Sequence, residues 1–504
     1  MLNILKRALC LTLALLMLIL TVSCGGTGAG EETTDTPDVP QSDDSTDEKD
    51  TEDEKKEFVD TYDGVFQVGY SRVEITPDLP IPLNTGTLLT SVKEPLYATC
   101  VAVHDGKNTA LLISLDVKNV PDDEDEAIKY RLKVATKVPE KNIMINAMHN
   151  HSAPCVGIPG GDPAIQKWTA KVYSYVVTAA KEAIADLSDA EIYMGVAKTT
   201  NYAFVRRYIH EDGSFSSIHY RNASKTPIVK HETDADDNAQ IIRMVRADKK
   251  DVILTNWQAH AAHAITIMPT TVSADYVHYI REGIEKKDDD ALVAFFCGAS
   301  GNINTTVRIQ ELNVTLGHYK RVGELVAEAI VKQLDNLERI QEGKIYSDTT
   351  TYIADAREVS ADYVKKAKEI QASGAEGSDA YNKLLDKYGF KSSYEVNRAI
   401  SLGDAQGTTS KLLLGAISFG DLSFISVPYE MFDTNGMEVK DGSPFEMTFI
   451  LTMAGGCSGY VPSALAVKNG GYEVYQSHFR YGTAEEAVAE YLKMLNDLFE
   501  KKNK

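Results

Sequence analysis

His149 and His151 stand two residues apart, after the apolar stretch 142–147 (NIMINA) and before a proline-broken loop, Ser152-Ala153-Pro154. Side chains alternate along a strand, so histidines spaced i, i+2 leave the end of a sheet on one face. Two imidazoles so placed suit half of a metal centre or half of a hydrolytic site. Taken alone the pair favours a plainer reading, a capped strand with two solvated histidines.

Polar residues gather at four more points, each directly after an apolar stretch. These are 256–263 (NWQAHAAH), 296–304 (FCGASGNIN), 427–430 (VPYE) and 454–460 (AGGCSGY). Reactive groups sit on loops held by a rigid sheet, so the recurrence counts for more than any one member. Each point also has a plainer account. Glu430 caps a segment, Tyr460 is a core tyrosine, and His263 is the helical neighbour of His260. The glycine-rich turn at 298–301 lacks the Lys-Ser/Thr of a phosphate-binding loop. Zinc offers one account of several points together, because it takes neutral imidazole with a hard oxygen donor and leaves a position for water. His149, His260 and Glu430 supply two nitrogens and a carboxylate, and the water so acidified attacks a carbonyl near neutral pH.

These groups need strands to carry them. Alternation predicts a strand at 65–75, a hairpin of 97–104 and 109–115 turning at Asp105-Gly106, and the strand before His149. Further strands are predicted at 190–197, 239–247, 252–257, 291–296 and 449–454, with a second hairpin of 412–420 and 422–427. Helical spacing covers 124–137, 163–187, 275–286, 317–337, much of 360–402, and 484–499. The segment 201–237 reads as irregular and polar. No regular βαβ rhythm emerges, which excludes a simple Rossmann or TIM pattern. The predicted fold is α/β: a mixed β-sheet core flanked by helices, in a single large domain over residues 58–504.

The remainder predicts export. Lys6 and Arg7 precede an almost wholly apolar run at 8–20, short for a ~20-residue membrane span, and then Thr21-Val22-Ser23-Cys24. This resembles a bacterial lipoprotein signal at 1–23, in which Cys24 becomes the lipidated N-terminus. Residues 24–57 read as an acidic tether unable to bury a core. Between Glu31 and Glu57 there are thirteen Asp and Glu and three Lys, a net of −10 within the chain's −21. The rest is mildly acidic, which argues against a nucleic-acid partner. The expected place is the outer face of a bacterial membrane, reached through the lipid on Cys24. The sequence is silent on oligomeric state. Cys100, Cys155, Cys297 and Cys457 are too sparse to require disulfides, and buried structural thiols are expected.

In order along the chain, the motifs resemble those of the neutral/alkaline non-lysosomal ceramidase family. They begin with G-x-x-x-x-x-I-T-P at 69–77 and H-x-H-S-x-P at His149. N-W-x-A-H at 256–260, S-A-D-Y at 273–276 and G-x-x-G-N-I-N at 298–304 follow. V-P-x-E at 427–430, S-G-Y-V-P at 458–462 and G-Y-E at 471–473 complete the series. The resemblance implies a zinc ion held by His149, His260, Glu430 and Tyr460. It further implies that His151 contacts the substrate carbonyl or shuttles a proton, and that Tyr472 helps to stabilise the oxyanion. The pair Arg206-Arg207 falls where the family carries a site arginine. Two departures stand out. Asn304 replaces the serine of the family's best-known members, and the C-terminal β-sandwich those members carry is not expected here. The expected activity is zinc-dependent hydrolysis of an amide bond in a ceramide-like N-acyl substrate. Another N-acyl or ester substrate, or a non-catalytic lipoprotein that binds a lipid or glycan, remains open at this point.

Overall fold

Runs of Val, Ile, Leu and Ala, which suit a buried pleated surface, build two sheets. The computed structural model describes residues 65–157, 161–219, 224–305 and 318–504. The predicted signal at 1–23, the tether at 24–57 and Cys24 lie outside the described residues. The larger sheet contains β1 (Phe66–Glu74), β2 (Tyr97–His104), β3 (Thr109–Leu115), β4 (Ile143–Ala147), β5 (Ser188–Lys198), β6 (Asn238–Arg246), β7 (Asp251–Trp257) and β8 (Ala291–Cys297). Their spatial order is β8-β7-β6-β5-β1-β2-β3-β4, with the short strand Glu338–Arg339 beside β5. The second sheet runs β9 (Ile345–Asp355), β10 (Thr409–Phe419), β11 (Leu422–Val427), β12 (Met447–Thr452).

The middle of the larger sheet is antiparallel and both of its rims are parallel. At one rim β3 pairs with β4, from Leu111↔Ile143 to Leu115↔Ala147; at the other β7 pairs with β8, from Asp251↔Ala291 to Trp257↔Cys297. In the second sheet β11 and β12 are parallel too, from Leu422↔Met447 to Val427↔Thr452. Parallel neighbours need a crossover. The helices α1 (Asp122–Thr136), α2 (Pro163–Ala185), α3 (Asp275–Glu285), α4 (Tyr319–Gln333), α5 (Ala361–Ala372), α6 (Asp379–Tyr388), α7 (Ser393–Asp404), α8 (Asp433–Gly442) and α9 (Thr483–Lys502) include the three that serve. They are α1 between β3 and β4, α3 between β7 and β8, and α8 between β11 and β12. Three strand–helix–strand units are thus set among antiparallel strands, which is why no βαβ rhythm shows in the sequence.

Helix α2 illustrates the packing. Asp162 caps it by accepting from the Ala164 N–H at 2.7 Å, and Pro163 takes the first position, where no N–H is needed. Ile165, Trp168, Val172, Val176, Ala179 and Ala183 recur at helical spacing and are all buried. They join Ala98, Cys100, Ala102 and Ile113 in one core, each large apolar side chain contributing about 1.5–3 kcal/mol. Helices α5–α7 form a separate arm with a core of their own, made of Ala367, Ile370, Tyr381, Leu385, Phe390, Val396 and Ala399.

Two buried asparagines tie the units together. The Asn146 side chain on β4 accepts from the Cys297 N–H at 2.8 Å and donates to the Thr452 carbonyl. On β7 the Asn256 side chain donates to Phe296 O (3.0 Å) and Ile450 O (2.9 Å). Each amide satisfies backbone groups of two other strands, so β4, β8, β7 and β12 are held in fixed register.

The predicted mixed sheet core flanked by helices is present. The segment 201–237 departs from its reading as irregular, since Arg207–His210, Phe215–Ser217 and Ile228–His231 form a small three-stranded sheet. These strands are short and polar-faced, so alternation did not mark them. Strand β9 and helix α8 were also not anticipated, and part of the helix predicted over 317–337 falls outside the described residues. Cys100, Cys155, Cys297 and Cys457 are free, three of them buried.

Candidate metal centre

The loops that follow β4, β7 and β11 meet. His149 follows β4, His260 follows β7 and Glu430 follows β11, and all three are buried. Glu430 Oε2 lies 3.3 Å from His149 Nε2 and 3.1 Å from His260 Nε2. The ring of His151 stands 4.9 Å from that of His149 and 5.8 Å from that of His260. Ligand atoms of the three histidines lie within 4.8 Å of one another, a group able to hold a metal ion. His151 Nε2 is buried without a hydrogen-bond partner.

Local structure fixes each ring. His149 adopts φ +52°, a left-handed conformation rare outside glycine and typical of functional sites. Its Nδ1 lies 3.0 Å from Asn119 Oδ1. The glycine-rich turn after β8 holds His260, whose backbone N–H donates to Ile303 O (3.0 Å) while Nδ1 lies 2.6 Å from the Ser300 carbonyl. Gly301 permits this approach, since a Cβ there would stand 2.7 Å from Glu430 O and 2.8 Å from Met431 O. The S-A-D-Y segment joins the two histidine loops. Asn150 Nδ2 donates to Ser273 O at 2.6 Å, and Asp275 Oδ2 accepts from the N–H groups of His263 (2.9 Å) and Ala264 (2.7 Å). His263 itself is half-buried and stands by Tyr319, 6.3 Å between rings.

Glu430 and Tyr460 face each other across a short parallel pair. The Tyr460 hydroxyl accepts from Arg206 Nη2 at 2.9 Å. Arg206 also donates to Gly301 O (2.9 Å), Asn304 Oδ1 (3.4 Å) and Glu473 Oε1 (2.8 Å). Arg207 points elsewhere. It is wholly buried, donating to both carboxylate oxygens of Glu232 (2.5 and 3.0 Å) and to Glu473 Oε2 (3.1 Å). Arg206 is therefore the arginine that meets the centre, and Arg207 braces it through Glu473. Tyr472 packs on Tyr460 with ring centroids 5.7 Å apart. Sequence reasoning passed over Asn119, Asp275 and Glu473. Glu473 was within reach as the last residue of G-Y-E, while nothing local marks Asn119.

The donor set tests itself for an ion. The Ser300 carbonyl can only accept, so His260 Nδ1 carries hydrogen and a neutral ring presents its Nε2 lone pair to Glu430. Burial, then the nearby Arg206 charge, lower the His260 pKa to about 4, so the ring is neutral at pH 7. Two lone pairs 3.1 Å apart repel unless a cation lies between them. With Asn119 Oδ1 as acceptor, His149 repeats the arrangement at 3.3 Å. Two ligands of one tetrahedral zinc ion, each 2.0–2.1 Å from it, stand about 3.3 Å apart. The residues fit a metal. His151 is likewise kept neutral, by burial first and then by His149.

Fold and site together define a mixed α/β protein with a buried histidine–carboxylate centre where three strand–helix–strand units meet. Its fold is that of the neutral ceramidases. The crystal structure of neutral ceramidase from Pseudomonas aeruginosa matches with a TM-score of 0.66 at 13% identity, over 87% of this chain and 75% of that one. A structure of a ceramidase complexed with C2 matches with a TM-score of 0.64 at 13% identity, over 87% and 76%. No protein-family model and no curated protein matches the sequence. The likeness is one of fold.

Proposed function

We propose that the protein is a zinc-dependent hydrolase that cleaves the amide bond of a ceramide-like N-acyl compound. One observation carries this reading: His149 and His260, their Nδ1 atoms engaged by acceptors, direct both Nε2 atoms at a single oxygen of Glu430. The similarity of fold to proteins described as ceramidases supports the substrate class. His149, His260, Glu430 and Tyr460 would hold the ion, which when bound supplies an acidified water and a polarised acyl carbonyl. His151 carries the proton, with Nε2 buried and unpartnered beside the other rings. Arg206 fixes the Tyr460 hydroxyl, and Tyr472 stands next to it to meet charge developing on the carbonyl oxygen. A position at an outer membrane face, inferred from residues 6–24, suits a lipid substrate.

The variant His149→Ala is expected to lose both bound zinc and turnover, and stoichiometric zinc retained in elemental analysis would overturn the ligand assignment. His151→Ala is expected to keep zinc while losing rate. Turnover abolished by a chelator and restored by zinc separates the hydrolase from a lipoprotein that only binds.

A further inference from the structure

Among the described residues, Arg398 is a cation without an ion-pair partner, on the helix that also carries Tyr394. It lies one turn after Tyr394 on α7, so the two side chains share a face of the helix. That face meets the short helix Tyr472–Gln476. The Tyr394 and Tyr472 rings are 5.3 Å apart, and His219 lies 4.8 Å from Tyr472 and 5.2 Å from Tyr394. Tyr472 packs in turn on Tyr460, so two ring contacts connect α7 to the tyrosine paired with Glu430.

Arg398 is partly buried, and its guanidinium makes no hydrogen bond or ion pair among the described residues. Its titratable neighbours are Arg357 and the Tyr472 phenol, which burial keeps neutral; burial, then Arg357, lower the Arg398 pKa. Arg357 itself donates to neutral acceptors, the Val474 carbonyl (2.9 Å), the Tyr481 hydroxyl (2.7 Å) and the Tyr475 carbonyl (3.4 Å), and its Nε is unpartnered. Glu395 acts on Arg357 but already accepts from the Tyr363 hydroxyl (2.7 Å) and the Lys391 N–H (2.6 Å). His478 adjoins both arginines, and burial with their charges lowers its pKa to about 4. A cavity of about 530 Å³ opens at His219 and Tyr394, and Lys391 and Glu376 also line it.

Withdrawing an arginine from water without a partner is unfavourable, and a ligand anion relieves it. The planar fork matches carboxylate, phosphate or sulfonate oxygens. We infer that Arg398, backed by Arg357, anchors an anionic group of the substrate, which is then an N-acyl compound bearing a carboxylate, phosphate or sulfonate and not an uncharged ceramide. This inference rests on the hydrolase reading above.

The test uses the full chain loaded with zinc and follows fatty-acid release. N-dodecanoylglycine and N-dodecanoylglycinamide are matched in size and differ in charge, while N-dodecanoyltaurine and N-dodecanoyl-phosphoethanolamine present sulfonate and phosphate. At least one anionic substrate is expected to exceed the glycinamide in kcat/KM by about ten-fold or more, as a charge-assisted hydrogen bond implies. Arg398→Gln should remove that advantage and leave the glycinamide rate within about two-fold, and Arg398→Lys should keep part of it. Equal losses on charged and neutral substrates in Arg398→Gln, or a glycinamide as good as all three anions, overturn the anchor and leave the hydrolase standing. No turnover of any N-acyl substrate overturns both.

Discussion

The proton positions at the centre follow from neighbours that accept only. His260 Nδ1 faces a carbonyl, and burial lowers its ring to about pH 4, below the 6.5 of an exposed histidine. Between those values the unfolded chain binds a proton that the folded chain refuses, so stability rises with pH across the window. His151 and His478 are lowered in the same direction, burial leading in each. Acidifying the metal-free protein from pH 6.5 towards 4 is therefore expected to lower its thermal midpoint, with His260→Gln flattening part of the slope. A series of midpoints in chelator checks this, and an unchanged slope in His260→Gln would remove His260 as a cause. Several of these residues were legible in the sequence as types at strand ends. Their division of labour was not. The choice between Arg206 and Arg207 turns on a bend at Arg206, between the short strands Phe204–Val205 and Arg207–His210, and Glu473, which they share, is remote in sequence.

Among the elements, turns matter as much as strands. Gly301 lets the turn after β8 pass against the Glu430 backbone, where a methyl group would meet oxygen at 2.7 Å. Gly301→Ala should keep the fold, displace Glu430 and weaken zinc binding by about ten-fold or more, the scale of losses when support for metal ligands is removed. Competition with a zinc chelator of known affinity measures this, and unchanged affinity would show that the turn adapts. Strands with clean alternation were readable in advance: β2, β3 and β11 have the predicted bounds, and β7 differs by one residue. Strand β9 was not, because its Ser, Asp and Thr residues leave it half exposed at the rim of the second sheet. Nor does periodicity show that Asn146 and Asn256, buried among apolar residues, satisfy the backbone of other strands.

At the scale of the molecule, the centre draws His149, His260 and Glu430 from three units far apart in the chain and from both sheets. It exists only once all three have docked. An ion binding there at about a thousand times its dissociation constant adds about 4 kcal/mol to stability. Contacts made after the folding barrier slow unfolding without speeding folding. Zinc is therefore expected to lower the unfolding rate and leave the refolding rate unchanged in stopped-flow measurements, whereas faster refolding with zinc would reveal a partial centre formed early. The arm of α5–α7 packs on its own seven-residue core and meets this centre through Tyr394, whose ring lies 5.3 Å from that of Tyr472. None of the four proposed metal ligands lies on it. On the inference drawn for Arg398, substrate choice and metal binding fall to elements with different cores, and exchange of the arm would alter selection while the proposed metal ligands stay in place.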